Sequence, residues 1–510
     1  MNSLLFKIVY DSVTTELTHS PDGWDDGLLN LTRQKVSSAL FRSYTIKLGF
    51  VKEGADLLRN IFYTDKIDAT ANLEIWKLNG ISLEYELKYT GEFDFQSFKD
   101  EDVKITITVL DTSILNFIKA YGGTKHEVEI GAFTYSKAFW YVDPVDSIEK
   151  YVLTYTLGKV FELLLDKVTG GLVTSGTYAV DVSTLNEFDY LVGTGGEFRS
   201  TDLIYMIKTS LNEYLDTIFI LTGLVMDIVY VDNIETIRFV ALSDVYDGSG
   251  TPYHLTNISN FSLEPDKEKL FSSLKIGYEE QDYSGEDDTL NGNKEVNGLT
   301  TFKSQIKRSK NDLDMSIKYR ADWTGVLNIL ADLNDTSADN DIFIFAAYEP
   351  NPVENPGYYI AAPGTLMYET IEYVLVNSKI TPKRLLLNHV DYLSSLLDNE
   401  GGSIIYTSSS YRNSANQTHP ISVAYTEEFT GITLTAPVHF KPYIFEFDSF
   451  VDDDFYDSMV SDSSQLLSFE YRGFTFTCFL IDTKIKLHGK SQVHIKAISS
   501  AENDLTNLST

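Results

Sequence analysis

Cysteine is all but missing. One thiol, Cys478, serves 510 residues, so no disulfide can form within the chain, and a protein this large without bridges fits assembly in a reducing cytosol. Cys478 stands in Phe474-Thr475-Phe476-Thr477-Cys478-Phe479, an aromatic strand pattern that assigns it to core packing. No apolar run approaches the ~20 residues needed to cross a bilayer as a helix. Residues Met1 to Ile8 lack the basic region and long apolar segment of a secretion signal and read as a strand. Asn-x-Ser/Thr triplets, as at Asn30, Asn257 and Asn416, therefore carry little weight as glycosylation acceptors.

Basic charge is also short. Lys and Arg number 41 against 74 Asp and Glu, a net charge of −33. Such a surface is poorly suited to gripping a phosphate backbone or an anionic membrane. It suits solubility first, and second a wall past which nucleic acid slides without sticking. The eight histidines are scattered, and one cysteine cannot build a thiolate metal cluster.

What remains is rich in strand-forming residues. Apolar residues make up 43% and aromatics 13%, with 32 Tyr and 30 Phe, enough for real cores and weighted toward β-sheet. The length suggests roughly three domains of about 150 residues. Composition and punctuation divide the chain as a β-rich region 1–145, a helix–helix–hairpin region 146–265 beginning near Asp143-Pro144, a strand and acidic-loop region 266–365, and a helix followed by a C-terminal sheet, 366–510, with domains free to be discontinuous.

In the first region a strand is expected from Arg42 to Phe50, and a turn into a short helix over Val51–Arg59. Asn79-Gly80 suits a tight hairpin between Leu73–Trp76 and Ile81–Tyr89. Leu83, Tyr85, Leu87 and Tyr89, and then Val103, Ile105, Ile107 and Val109, alternate as half-buried strands. Asp111 or Ser113 caps a helix from Ile114 to Tyr121, stopped by Gly122-Gly123. The second region predicts one helix from Thr156 to Val168, ended by Gly170-Gly171. A second runs from Asp202 to Phe219, capped by Ser200 or Thr201 and ended by Gly223. A hairpin follows, Val225–Tyr230 and Glu235–Leu242. The third opens with the apolar run Leu270–Tyr278, drops into an acidic Asn/Gly loop from Glu279 to Gly298, returns through Leu313, Met315, Ile317 and Tyr319, and ends on the acidic turn Asp339-Asn340-Asp341 feeding Ile342–Phe345. Pro350–Gly364 reads as a loop. In the last, Thr381-Pro382 begins a helix that uses Leu385, Leu386, His389, Leu393, Leu396 and Leu397 and ends at Gly401-Gly402. Ile432–Leu434 and Tyr443–Phe445 are expected strands. Leu467–Tyr471, Phe474–Leu487 and Val493–Ile498 form a sheet with turns at Arg472-Gly473 and His488-Gly489, and the tail from Ser499 is expected to fray.

No stretch carries a catalytic constellation. Gly489-Lys490-Ser491 resembles the end of a phosphate-binding loop, but Lys484 occupies the place of its first glycine and a strand follows. It reads as a hairpin turn. Gly193-Thr194-Gly195-Gly196 precedes a helix, but Phe198 stands where a dinucleotide fingerprint needs glycine, so a flexible turn is expected. His126-Glu127 lacks the second histidine of a zinc helix. The acidic runs Asp335–Asp341 and Asp452–Asp457 lack the central glycine and terminal glutamate of a calcium loop and read as solvated turns. Paired carboxylates could serve a glycosidase, but 74 acidic residues make some pair inevitable. Trp24, in Asp22-Gly23-Trp24-Asp25-Asp26, could stack on a sugar, though packing over a sheet edge is favoured. No catalytic, cofactor-binding or metal residue is assigned, and no cofactor.

Three places together resemble a known family. Lys275-Ile276-Gly277-Tyr278 precedes the acidic loop and leads to Asp339-Asn340-Asp341-Ile342-Phe343. Asn377 is followed by Thr381-Pro382-Lys383-Arg384-Leu385-Leu386. The stretch Asp202–Phe219 passes through Thr222-Gly223-Leu224 into a hairpin. These resemble tail-hub or baseplate proteins of tailed bacteriophages, especially the Bacteroidetes-infecting type, over roughly residues 150–500, and Leu48-Gly49-Phe50-Val51-Lys52-Glu53-Gly54-Ala55 has a similar flavour. The resemblance implies a β-rich α+β fold of tail-tube-like β-barrel or β-sandwich domains with packed helices. It implies a homo-oligomeric ring, a trimer or hexamer, joined to other tail and baseplate proteins. DNA would pass transiently without specific binding, no part would insert stably in a membrane, and the protein would reside in the virion tail after assembly in the host bacterial cytoplasm. The family has no catalytic residues to carry over, so no enzymatic activity is expected. A carbohydrate- or receptor-binding module, or a glycan-degrading tail enzyme, is the alternative.

Overall fold

In a computed structural model the described residues are 4–26, 28–33, 40–44, 46–78, 83–129, 137–142, 149–188, 190–199, 206–231, 234–278, 299–304, 306, 309–321, 329, 334–348, 358–360, 380, 382–397, 403–406, 432–433, 437–452, 454–455, 458–459, 464–486 and 489–509. The acidic loop 279–298, Asp143-Pro144, Asn79-Gly80 and Gly401-Gly402 lie outside them.

The fold is β-rich α+β. A six-stranded antiparallel sheet runs in the order Val13–Glu16, Leu4–Tyr10, Ala71–Leu78, Tyr85–Asp100, Lys104–Asp111, Ile46–Val51. Ile105, Ile107 and Val109 turn inward and are fully buried, as period-two alternation requires. Helix Lys52–Asp65 packs on this sheet through Ala55, Leu58 and Ile61. Asp11 and Ser12, both at positive φ, join the first hairpin, and this handedness suits the twist of paired strands. Val103 and Leu83, expected within strands, instead stand exposed outside them.

Two closed β-structures follow. One barrel is formed by Lys137–Val142, Glu149–Thr156, Tyr190–Thr194, Ile342–Tyr348 and Tyr358–Ile360. The segment Pro350–Gly364 is thus not wholly a loop: Tyr358 and Tyr359 pair in parallel with Phe139 and Trp140, a partnership invisible to local composition. In the other, Tyr253–Pro265, Phe440–Val451, Ser491–Ser500, Phe474–Lys486 and Leu466–Tyr471 return on themselves, because Leu466–Tyr471 pairs antiparallel with Phe474–Phe479 and also, in parallel, with Tyr253–Leu255. The long strand Phe474–Lys486 serves two neighbours on one side, Leu466–Tyr471 along its first half and Leu28–Thr32 along its second. Register shifts in Tyr253–Pro265 coincide with Asn257 and Asn260 at positive φ, the residue type that tolerates a left-handed kink at a bulge.

The expected strand Arg42–Phe50 is two strands in two sheets. Phe41–Ser43 joins Leu28–Thr32, and Ile46–Val51 joins the N-terminal sheet. The expected helix Asp202–Phe219 is also divided. Residues 200–205 lie outside the described set, Met206–Ser210 is a strand against Lys125–Glu129, and the helix begins at Leu211 and runs to Thr222. Ser210 is its cap, accepting a hydrogen bond from the Glu213 amide at 3.2 Å. Ile207 and Leu211 are spaced for a helical stripe, but strand pairing decides the first. Gly223, at φ 74°, ends the helix as expected. Helix Leu157–Val168 matches its expected span, with the Thr156 hydroxyl as cap.

The helix begun at Pro382 breaks once, giving Pro382–Leu387 and Val390–Leu397. At the break the Asn388 side chain donates to Leu221 O at 2.7 Å, and His389 Nε2 bonds Ile220 O at 2.9 Å. These bonds tie it to the end of helix Leu211–Thr222. The tail does not fray at Ser499: Ser499 and Ser500 are buried strand residues, and Asn503 donates to Thr477 O at 2.6 Å and to the Ser499 hydroxyl at 2.8 Å.

Burial forms two continuous apolar clusters. One gathers Phe161 and Leu164, Ile218 and Leu221, Ile276, Leu385 and Leu393. The other joins the N-terminal sheet, through Phe6, Leu48 and Ile75, to the C-terminal barrel through Phe447, Phe469 and Ile495. Cys478 lies in the second, fully buried, and burial pushes its thiol far up, which leaves it unreactive.

Candidate functional site

A cavity of about 430 Å³ opens where the N-terminal sheet meets helix Ile114–Tyr121 and the hairpin strand Ile234–Ala241. Its geometry starts from Asp111, the last residue of its strand. One Asp111 oxygen accepts from the Ser113 amide at 2.9 Å, and the other from the Tyr44 amide at 2.9 Å. The first bond turns the chain into the helix; the second anchors the chain at Tyr44, just after strand Phe41–Ser43. Glu235, 121 residues away, accepts from the Ile114 amide at 2.8 Å. It thereby satisfies a donor that the helix start leaves open, where a negative charge is favoured.

Tyrosines line the same space. The Tyr89 hydroxyl reaches Tyr44 O at 3.2 Å and Leu110 O at 3.3 Å. It passes over Gly91, where a Cβ would fall 2.0 Å from that oxygen, so glycine there is a packing requirement. Tyr178 donates to Thr112 O. Glu92 also lines the cavity, and burial pushes its carboxyl up. Asp111 and Glu235 thus hold the backbone, while among the described residues Glu92 makes no such bond. Among the described residues no group of three His, Cys, Asp or Glu is placed to hold a metal ion.

The motifs singled out in the sequence fall elsewhere. Gly489, at φ 83°, precedes the strand Ser491–Ser500, as a hairpin turn requires. Gly193-Thr194-Gly195-Gly196 is not a flexible turn but a buried strand-to-helix junction. The Gly195 and Gly196 amides donate to Asp341 O and Asp339 O, both at 3.0 Å, so they are not free to face a phosphate. The acidic turn Asp335–Asp341 is only partly solvated: Asp339 pairs with Arg199, and Asp341 with Arg320 at 2.8 Å. His126 and Glu127 lie on a strand, where Glu127 pairs with Lys208 at 2.8 Å. Asp452 accepts from the Tyr253 hydroxyl at 2.9 Å. Trp24 packs on Phe6, ring centres 5.9 Å apart. Sequence reasoning passed over the cavity. Its one local signal is Asp111-Thr112-Ser113 before a helix; Glu235 carries none.

No protein-family model and no curated protein matches the chain. Among solved structures it is similar to a tail protein from Neisseria meningitidis, at 7% identity and a TM-score of 0.37 over 98% of this chain and 97% of that one. A prophage tail protein from Listeria monocytogenes matches at 8% identity and 0.35, over 99% and 97%. The 43 kDa tail protein of a Shewanella oneidensis prophage matches at 10% and 0.36, over 98% and 100%.

Proposed function

We propose that the protein is a structural component of a bacteriophage tail, at the baseplate hub, tail tip or a tail ring. It would act by assembling with copies of itself, as a trimer or hexamer, and with other tail proteins around the path of the DNA. The observation that carries this reading is an apolar rim at one end of the N-terminal sheet. Val13, Tyr63 and Ile67 are 63%, 58% and 62% exposed. Val13 pairs with Tyr10 across the hairpin, and the Tyr10 hydroxyl bonds Asp65, which stands between Tyr63 and Ile67 in the chain, at 2.5 Å. Clustered exposed apolar residues mark contact surfaces. The segments that carry the sequence resemblance also support one module, since Ile276, Leu385, Leu386, Ile218 and Ile342 share a single core. The net charge of −33 suits a lumen that DNA does not adhere to. The Bacteroidetes-infecting type rests on the sequence resemblance alone.

Light scattering on the purified chain, with and without a tail-tube protein, tests the proposal. Discrete closed oligomers, or rings seated on tubes by electron microscopy, are expected. A monomer at high concentration that ignores tubes and binds glycan would replace this reading with the carbohydrate-binding one.

A further inference from the structure

We propose that copies of the chain, assembling as the tail reading has it, dock the apolar rim of one onto a basic sheet face of the next. That face is the outer side of strands Leu28–Thr32 and Phe474–Lys486, around Leu28, Lys484 and Lys486. The rim is apolar at its centre and acidic at its border. Every residue from Tyr63 to Asp68 is exposed, Asp65 and Asp68 among them, and Asp11 stands exposed in the hairpin turn before Val13. The bond to Asp65, with the charge of Asp11 adding to it, pushes the Tyr10 hydroxyl up to about 12, so both acids bear on one spot. Lys66, between the two other acids, is drawn back onto its own turn and donates to Tyr63 O at 2.9 Å. Val13–Glu16 is also the edge strand of its sheet, where free backbone groups invite a neighbour. Two copies meeting rim to rim would set these carboxylates against each other, and like charges across an interface are costly.

The second surface has the opposite character. From Thr483 to Ala501 the chain carries four lysines and no acidic residue, in a protein of net charge −33. Thr483 and Ile485 are buried while Lys484 and Lys486 are exposed, so both lysines stand on the outer side of their strand. Leu28, 46% exposed, pairs with Lys486 there. On the adjoining strand Ser491–Ser500 the exposed Gln492 pairs with Phe450, itself 50% exposed. Lys496 is occupied by Glu446 at 3.2 Å, but among the described residues Lys484, Lys486 and Lys490 have no ion-pair partner. Apolar side chains bordered by acids on one surface and by lysines on the other are complementary. Such a match also answers the repulsion between copies of so acidic a chain. Neither surface complements itself. The contact is therefore head to tail, and it builds a ring where the rotation closes, not a two-fold dimer.

Cross-linking and light scattering on the full chain test this. An Ile67→Cys chain mixed with a tagged Leu28→Cys chain and a short bismaleimide should give pairs holding one chain of each kind, while each variant alone should stay uncoupled. Cys478 is fully buried and stays out of the reaction. Asp65→Lys with Asp68→Lys should raise the concentration at which half the chain is assembled on the order of tenfold, and so should Lys484→Glu with Lys486→Glu. All four substitutions in one chain should restore assembly, which a loss through misfolding could not do. Added salt should weaken the wild-type contact. Oligomers that ignore both charge reversals overturn the docking and leave the tail reading standing, as does coupling within the Ile67→Cys chain alone, which means rim on rim. A chain that stays monomeric yet binds tubes also overturns the docking and gives the rim to the tube protein. One that does neither overturns the tail reading as well.

Discussion

Arg199 grips Asp339 with two nitrogens, Nε on one carboxylate oxygen at 2.8 Å and Nη2 on the other, across 140 residues of chain. Both side chains are largely withdrawn from water, 16% and 12% exposed. The pair pins the turn before strand Ile342–Tyr348 to the short helix after strand Tyr190–Thr194, two neighbours in the barrel. Asp339→Ala removes the bidentate partner of a largely shielded guanidinium, so a loss of about 2–4 kcal/mol is expected in urea unfolding. Replacing both partners with apolar residues should recover part of that loss.

His389 makes stability depend on pH. It is buried, and desolvation lowers its pKa from 6.5 to about 4, against the opposing bond to Ile220 O. The unfolded chain takes up this proton near pH 6.5, whereas the folded one resists until near pH 4. The contribution is therefore whole above pH 6.5 and declines as pH falls toward 4, by roughly 3 kcal/mol in total. Urea unfolding from pH 7 to 4.5 should show His389→Gln with a shallower decline than wild type; parallel slopes would refute the assignment.

Gly195 is a steric requirement. A Cβ there would sit 2.0 Å from Ala338 O, a backbone atom. Gly195→Ala should cost about 1–3 kcal/mol by overpacking, read as a lowered melting temperature, while Gly170→Ser, which meets open space, should cost less despite its positive φ.

Leu164 is fully buried within helix Leu157–Val168. Leu164→Ala should destabilise by about 2–5 kcal/mol in equilibrium unfolding.

The apolar rim should separate assembly from stability. Ile67→Asp removes an exposed side chain, so the unfolding free energy should move by less than about 0.5 kcal/mol. Oligomer size by light scattering should nevertheless fall. Unchanged oligomers would exclude the rim from the contact.

Much of the fold was legible in the residues because local physics specified it. Helix Leu157–Val168 carries a complete stripe with a threonine cap and glycines after it. The Arg472-Gly473 turn, both residues at positive φ, separates two runs that alternate with period two. The burial of Cys478 followed from its aromatic neighbours. The candidate site was far less legible, since Glu235 reaches Ile114 only after a distant hairpin has docked.

The sequence by itself determined that the chain is strand-rich and acidic, where its best helices lie, and that it cannot be held by disulfides. Each follows from composition or from spacing within one turn or one pleat. Tertiary structure alone decided that Met206–Ser210 is strand and not helix, that Arg42–Phe50 divides between two sheets, and that Tyr358–Ile360 closes a barrel. In each case the hydrogen-bond partner lies far along the chain, and pairing with it outweighs a local preference worth only tenths of a kcal/mol per residue.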